Sequence, residues 1–232
     1  MGELYNGLLQ AVRLIVSGDS ALMEIVSLTL KVTGIALLFS AVVGVPLGSF
    51  MGLKRFLGRR LVIALLYTGM GFPPVVVGLF VYLMLSRSGP LGTLGWLFTP
   101  RAMIVSQTII AFPLVAGFTM AAVMGVDASL RQQVMALGAT EWQATLTILR
   151  EARIGVVVSV IAGFGSIISE VGSVMLVGGN IEGSTRTLTT AIVLETRKGD
   201  FQLAIALGIV VLSLSFFANF LMLRFQGRDF ND

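Results

Sequence analysis

Five stretches of this chain, each more than twenty residues long, run almost without a charged side chain. They cover about 22–53 (free of charge from Val32 onward), 61–85, 103–126, 154–177 and 201–223. At 1.5 Å of rise per residue, about twenty helical residues cross the roughly 30 Å hydrocarbon layer of a bilayer. Lipid offers no hydrogen bonds, so backbone groups in such a segment must be satisfied within it, and an isolated spanning segment has to be a helix. The chain therefore reads as an all-α polytopic membrane protein with five spans, and residues 1–232 read as a single transmembrane domain. Only 12% of its residues are charged, against about 25% in a soluble domain, which is too few to coat a globule in water.

The segment before the first span, Met1 to Ser17, carries Glu3 and Arg13 and lacks the basic start and unbroken apolar core of a signal peptide. It is expected to be an amphipathic helix at the membrane surface. Small residues recur inside spans, as at Gly44 and Gly48 or Gly163 and Ser166, where they let helices approach closely.

Basic loops set the expected orientation, because cytoplasmic loops collect Lys and Arg. Lys54-Arg55-Phe56-Leu57-Gly58-Arg59-Arg60 holds four cations and no acid, so it is placed in the cytoplasm. Alternation then puts the N-terminus outside and segment 127–153 inside, with Arg131, Arg150 and Arg153. The C-terminus, with Arg224 and Arg228, also falls inside. Arg186, Arg197 and Lys198 fall on the opposite side, against the bias. Tyr82, Trp96 and Phe98 come near the outer interface, which suits amphipathic rings.

Several chemistries are excluded. The chain has no Cys and no His, which removes thiol and imidazole nucleophiles and the common zinc sites. Paired aspartates are missing from the spans, and no Walker A pattern occurs, so no P-loop holds ATP here. The chain is expected to be neither an enzyme nor a holder of a cofactor or metal. Its net charge of +4 is too small and scattered for nucleic acid and suits contact with membrane lipid.

Segment 127–153 is long for a connection between spans. Val134 and Leu137, then Trp142, Leu146 and Leu149, fall at helical spacing. Between them Gly138 can close one helix in a left-handed cap, and Thr140 can start the next. Two short helices meeting at a corner are expected.

This corner resembles the EAA loop of ABC importer permeases, whose pattern is Glu-Ala-Ala, three residues, Gly, nine residues, Ile, one residue, Leu-Pro. Gly138 and Ile148 fall on the Gly and Ile, and Leu137-Gly138-Ala139-Thr140 is the strongest local match. Gln132, Gln133 and Val134 replace Glu-Ala-Ala, and Arg150-Glu151 replaces Leu-Pro. Phe72-Pro73-Pro74-Val75-Val76-Val77-Gly78 is similar to the second span of molybdate-type permeases. The runs from Ser169 to Ile181 and from Thr185 to Phe201 resemble the tungstate branch of that family. The likeness covers about residues 22–223. It implies a five-span type I importer core in a bacterial or archaeal cytoplasmic membrane, working as a homodimer. A separate pair of ATP-binding subunits would carry ATP and Mg, and an extracytoplasmic tungstate-binding protein would deliver the anion. Leu137, Gly138, Ala139, Thr140 and Glu141 would then form the contact with the ATPase.

Candidate pathway or gate residues are Phe72, Pro73, Pro74, Phe112, Pro113, Ser169, Glu170 and Ser173. The prolines interrupt spans two and three, each freeing a carbonyl; Phe72 and Phe112 can narrow a pathway or simply flank kinks. Glu170 is the one acid deep in a span, where a carboxylate must pair, face the bundle or be protonated. It is either a gate residue or a structural hydrogen-bonding group beside Ser166, Ser169 and Ser173. The outer segment from Thr187 to Lys198 can form a helix that touches a binding protein or lies on lipid. A proton-coupled secondary transporter of a small anion, with Glu170 titrating, is the competing reading, and a lone carboxylate gives it thin support.

Overall fold

A computed structural model describes residues 2–225; Arg228, invoked above for the cytoplasmic tail, lies outside them. The described residues contain eleven α-helices, one short 3-10 turn at Gly92–Leu94 and no strand. In order the helices are α1 (Gly2–Ser17), α2 (Ser20–Leu53), α3 (Arg59–Met70), α4 (Pro74–Leu85), α5 (Pro100–Met124), α6 (Ala128–Ala136), α7 (Glu141–Glu151), α8 (Arg153–Ile168), α9 (Gly172–Gly178), α10 (Leu188–Lys198) and α11 (Phe201–Phe225). Three of them, α2, α5 and α11, are each long and apolar enough to cross a membrane unaided.

Helices α2 and α5 form the central pair. Ser40, Gly44, Gly48 and Gly52 line one stripe of α2, four residues apart, against α5. The Ser40 hydroxyl reaches the Thr108 carbonyl at 3.3 Å. A β-carbon on Gly48 would strike the Ala116 carbonyl oxygen, and one on Gly52 would come within 2.8 Å of Val123. The stripe thus fixes how closely the backbones approach, as small residues do where lipid gives no hydrophobic drive to associate. Val32, Ala36, Met103, Ala111, Ile167 and Val174 fill the centre where α2, α5, α8 and α9 meet.

The expected second span is not one helix. It divides at Gly71-Phe72-Pro73 into α3 and α4, which meet at 101°. Pro73 and Pro74 lack the N–H groups that would continue α3, and Pro74 opens α4 at a first-turn position where no N–H is needed. Pro113, expected to interrupt the third span, does not break it: α5 runs through from Pro100 to Met124. Its ring is buried, and a β-carbon on Gly69 of α3 would stand 3.1 Å from it, so neighbouring structure covers the proline.

The fourth expected span also divides, between α8 and α9 at Ser169-Glu170-Val171. The first helix, amphipathic as expected, packs against α11. Gly7 and Ala11 are buried in α1, and Gly7 packs on Ile205 of α11. Tyr5, Leu8, Val12 and Val16 face outward, while Leu14 packs on the cluster around Leu22 and Leu188. The small face packs because it permits the closest backbone approach, leaving the apolar face available to lipid.

Candidate functional site

The corner between α6 and α7 is built almost wholly by local hydrogen bonds. Asp127 starts α6 by accepting from the Ser129 N–H at 2.8 Å, and that bond holds its carboxyl below the usual range. The helix ends in a Schellman motif. Gly138 N–H donates to the Met135 carbonyl at 3.0 Å and Ala139 N–H to the Val134 carbonyl at 3.2 Å. Gly138 adopts φ +88°, a left-handed conformation that costs other residues about 1–2 kcal/mol. Two residues on, Thr140 accepts from the Gln143 N–H at 3.3 Å, and the Gln143 side chain accepts from the Thr140 N–H at 2.8 Å. This capping box starts α7. Its Thr-x-x-Gln signature is present in the sequence although only Thr140 was singled out above.

Glu141 pins the corner to the rest of the chain. Its carboxylate accepts a hydrogen bond from the Arg131 guanidinium of α6 and lies 3.6 Å from Lys54, in the α2–α3 loop. The Arg131 hydrogen bond, followed by its charge, lowers the Glu141 pKa. These partners stand ten and 87 residues away, and no local pattern announces the longer link.

The inner face of α7 is set by the buried Ala144 and Ile148, of which Ile148 packs with Val123 of α5 and Ala152. Leu137 and Trp142 point the other way and are 87% and 69% exposed. The apolar residues placed at helical spacing thus divide between an inner packing face and an outer tip. Ala139 and Thr140 stand beside that tip without bulk.

The pathway candidates separate into two groups. Phe72, Pro73 and Pro74 border a cavity of about 290 Å³ with Ile110, Leu114 and Ser166. Phe112 lies on the opposite face of α5 and borders a different, apolar groove with Phe39, Val43 and Ile109. Within one chain, Phe72 and Phe112 are therefore not brought together.

Ser169, Glu170 and Ser173 come together at the α8–α9 break. Glu170 is 9% exposed and accepts from the Ser173 N–H at 2.8 Å. Its backbone carbonyl accepts from the Thr189 hydroxyl of α10 at 3.0 Å. Ser169 turns back to the Gly165 carbonyl at 2.8 Å. The Ser173 hydroxyl is buried and finds no hydrogen-bond partner among the described residues. α10 begins with its own capping box at Thr187 and Thr190, and Leu188 N–H donates to the Thr29 hydroxyl of α2 at 3.0 Å. Leu188, Ala191 and Glu195 are buried, so the side of α10 that carries them is turned into the protein.

Comparison with known proteins bears on this arrangement. The family described as "Binding-protein-dependent transport system inner membrane component" matches residues 44–228. The chain is 48% identical over 219 residues to a "Probable anion ABC transporter permease protein" of Haloferax volcanii, covering 91% of this chain and 94% of that protein. It is 39% identical over 226 residues to the "Tungstate uptake system permease protein TupB" of Peptoclostridium acidaminophilum, covering 97% and 99%. In three dimensions it resembles a chain of the inward-facing MetNI methionine ABC transporter, with TM-score 0.72 and 22% identity over 90% of this chain and 98% of that one; this likeness establishes the type I permease fold. With a family match over most of its length and relatives aligned nearly end to end, the chain belongs to the inner-membrane components of binding-protein-dependent transport systems.

Proposed function

We propose that the chain is the permease subunit of an ABC importer that carries tungstate inward by alternating access, with the α6–α7 corner as the contact through which ATP-binding subunits drive it. The observation that carries the coupling role is the exposed tip, Leu137 to Trp142, mounted on a corner whose backbone bonds are locally closed. An exposed apolar tip on a stiff support suits insertion into a cleft of another protein. The tungstate assignment is supported by the likeness to a tungstate uptake permease over nearly the whole chain.

Two copies would enclose the pathway about a two-fold axis, the ATPase dimer would bind ATP and Mg, and an extracytoplasmic tungstate-binding protein would load it. The orientation follows from the Lys54–Arg60 loop: corner and C-terminus in the cytoplasm, N-terminus outside. Glu170 serves here as a helix-starting hydrogen-bond acceptor at the α8–α9 break. The test is uptake of labelled tungstate into vesicles holding the permease, its ATPase and binding protein. ATP-dependent accumulation that molybdate inhibits more strongly than sulfate is expected. Uptake driven by a proton gradient without ATP would defeat the proposal.

A further inference from the structure

The end of the bundle that bears the corner holds a pocket of about 610 Å³ between the α2–α3 loop, the end of α5 and the start of α6. Three arginines line it: Arg55 from the loop, Arg59 from the first turn of α3 and Arg131 from α6. Asp127 is the one acid among the lining residues, so the pocket carries a net charge of about +2 when all four groups are ionised.

The three guanidinium groups are held to different degrees. Arg59 is fixed through its Nε, which donates to the Met51 carbonyl at 2.9 Å, while one terminal nitrogen lies 3.4 Å from the Met124 sulfur. Arg131 uses one terminal nitrogen on Glu141. Arg55 makes no hydrogen bond or ion pair among the described residues. A guanidinium carries five N–H donors, so each of the three retains donors that the fold does not use. Asp127 is already engaged with the Ser129 N–H, and Lys54 turns to Glu141.

We infer that this pocket binds a phosphate-class tetrahedral oxyanion, supplied either by the headgroup of an anionic lipid or as a free ion. Planar guanidinium groups match tetrahedral oxyanions by paired, charge-assisted hydrogen bonds. The pocket also lies at the ends of α2 and α5, two helices long enough to span a bilayer, and the end of a spanning helix is where lipid phosphates are met. An anion held there would join the α2–α3 loop to α6, the helix that leads into the corner. The inference does not depend on which anion is transported.

The test uses the full chain in nanodiscs of phosphatidylcholine, with labelled inorganic phosphate titrated by equilibrium dialysis. Saturable binding is expected, weakened about tenfold by Arg55→Gln and further by Arg55→Gln with Arg131→Gln, the scale of one lost charge-assisted bond. Arg55→Gln removes no hydrogen bond or ion pair among the described residues, so its effect is separable from misfolding. Arg60→Gln with Arg150→Gln, an equal charge change outside the pocket, is expected to leave binding unchanged. Adding phosphatidylglycerol then distinguishes the sources: weaker phosphate binding assigns the site to a headgroup, and unchanged binding assigns it to a free ion. Absence of saturable phosphate binding, equal binding by wild type and Arg55→Gln, or equal weakening by the control pair would overturn the inference.

Discussion

Gly78 of α4 lies so close to Ser173 of α9 that a β-carbon built on Gly78 would stand 2.6 Å from the Ser173 α-carbon. One turn away the contact is mirrored: a β-carbon on Gly172 would stand 2.5 Å from a methyl carbon of Val75. The halves of two broken spans are thereby locked side by side, each just beyond its own break. Gly78→Ala is expected to destabilise the chain by about 1–3 kcal/mol, as overpacking does, seen as a lower unfolding temperature in detergent. Because the obstacle includes backbone, adding Ser173→Gly should not restore it. Full rescue by Ser173→Gly would show that the hydroxymethyl group, rather than the helix axis, sets the distance.

At the corner, a β-carbon on Gly138 meets nothing within 4 Å. Gly138→Ala and Gly138→Leu therefore carry a similar backbone cost of about 1–2 kcal/mol, and the β-carbon of either has open space around it. The difference between them reports on the larger side chain at the exposed tip. Insertion should survive in both, while Gly138→Leu should lose binding-protein-stimulated ATPase activity or ATPase co-purification and Gly138→Ala should be milder. Equal, wild-type-like behaviour of the two would remove the coupling role from this corner.

The Glu141 clamp has a defined pH dependence. Its carboxyl lies below the ordinary value of 4.5, chiefly through the Arg131 hydrogen bond. A depressed folded-state pKa gives a contribution present above the ordinary value and lost as pH falls through the folded one. The clamp is thus complete at neutral pH and opens only in acid. Amide exchange around residues 137–143 should rise as pH drops below about 4.5 after correction for intrinsic rates, and Glu141→Gln should abolish that rise. Because the side chains are exposed, salt should weaken the effect; a salt-independent transition would assign it to another group.

Topology is checked by reporter fusions. Fusions after Gly58 and after Arg228 should both report the cytoplasm, given the cations of Lys54–Arg60. An extracytoplasmic signal at either position contradicts the assigned orientation.

What could be read from the sequence is what is decided locally. Gly138 and Thr140 were readable because a left-handed cap and an N-cap depend on a few neighbouring residues. The break at Pro73 was marked by its prolines, yet the same residue type at Pro113 leaves α5 whole, because the outcome depends on what covers the freed carbonyl. The break at Ser169–Val171 contains neither Gly nor Pro. It is held by Glu170 and, from nineteen residues away, Thr189, so periodicity alone passes through it. Trp142 falls at helical spacing with Leu146 and Leu149, but only tertiary context shows that Ala144 and Ile148 take the inner face. On α1 the amphipathic pattern was readable, but its contact with α11 through Gly7 was not, because that partner lies far along the chain.

The bend at Ala152 gives the corner a mechanical character. α7 and α8 meet there at 60°, yet Ala152 N–H still donates to Ile148 and its carbonyl still accepts from Val156, at 2.9 and 3.0 Å. A connection of loose backbone would absorb a displacement as a spring absorbs it. Here the Schellman motif, the capping box and the two backbone bonds retained at Ala152 leave little slack. On the coupling role proposed above, a shove delivered at Trp142 would be carried as a crank carries it, through α7 to α8, which ends at the Ser169–Val171 break.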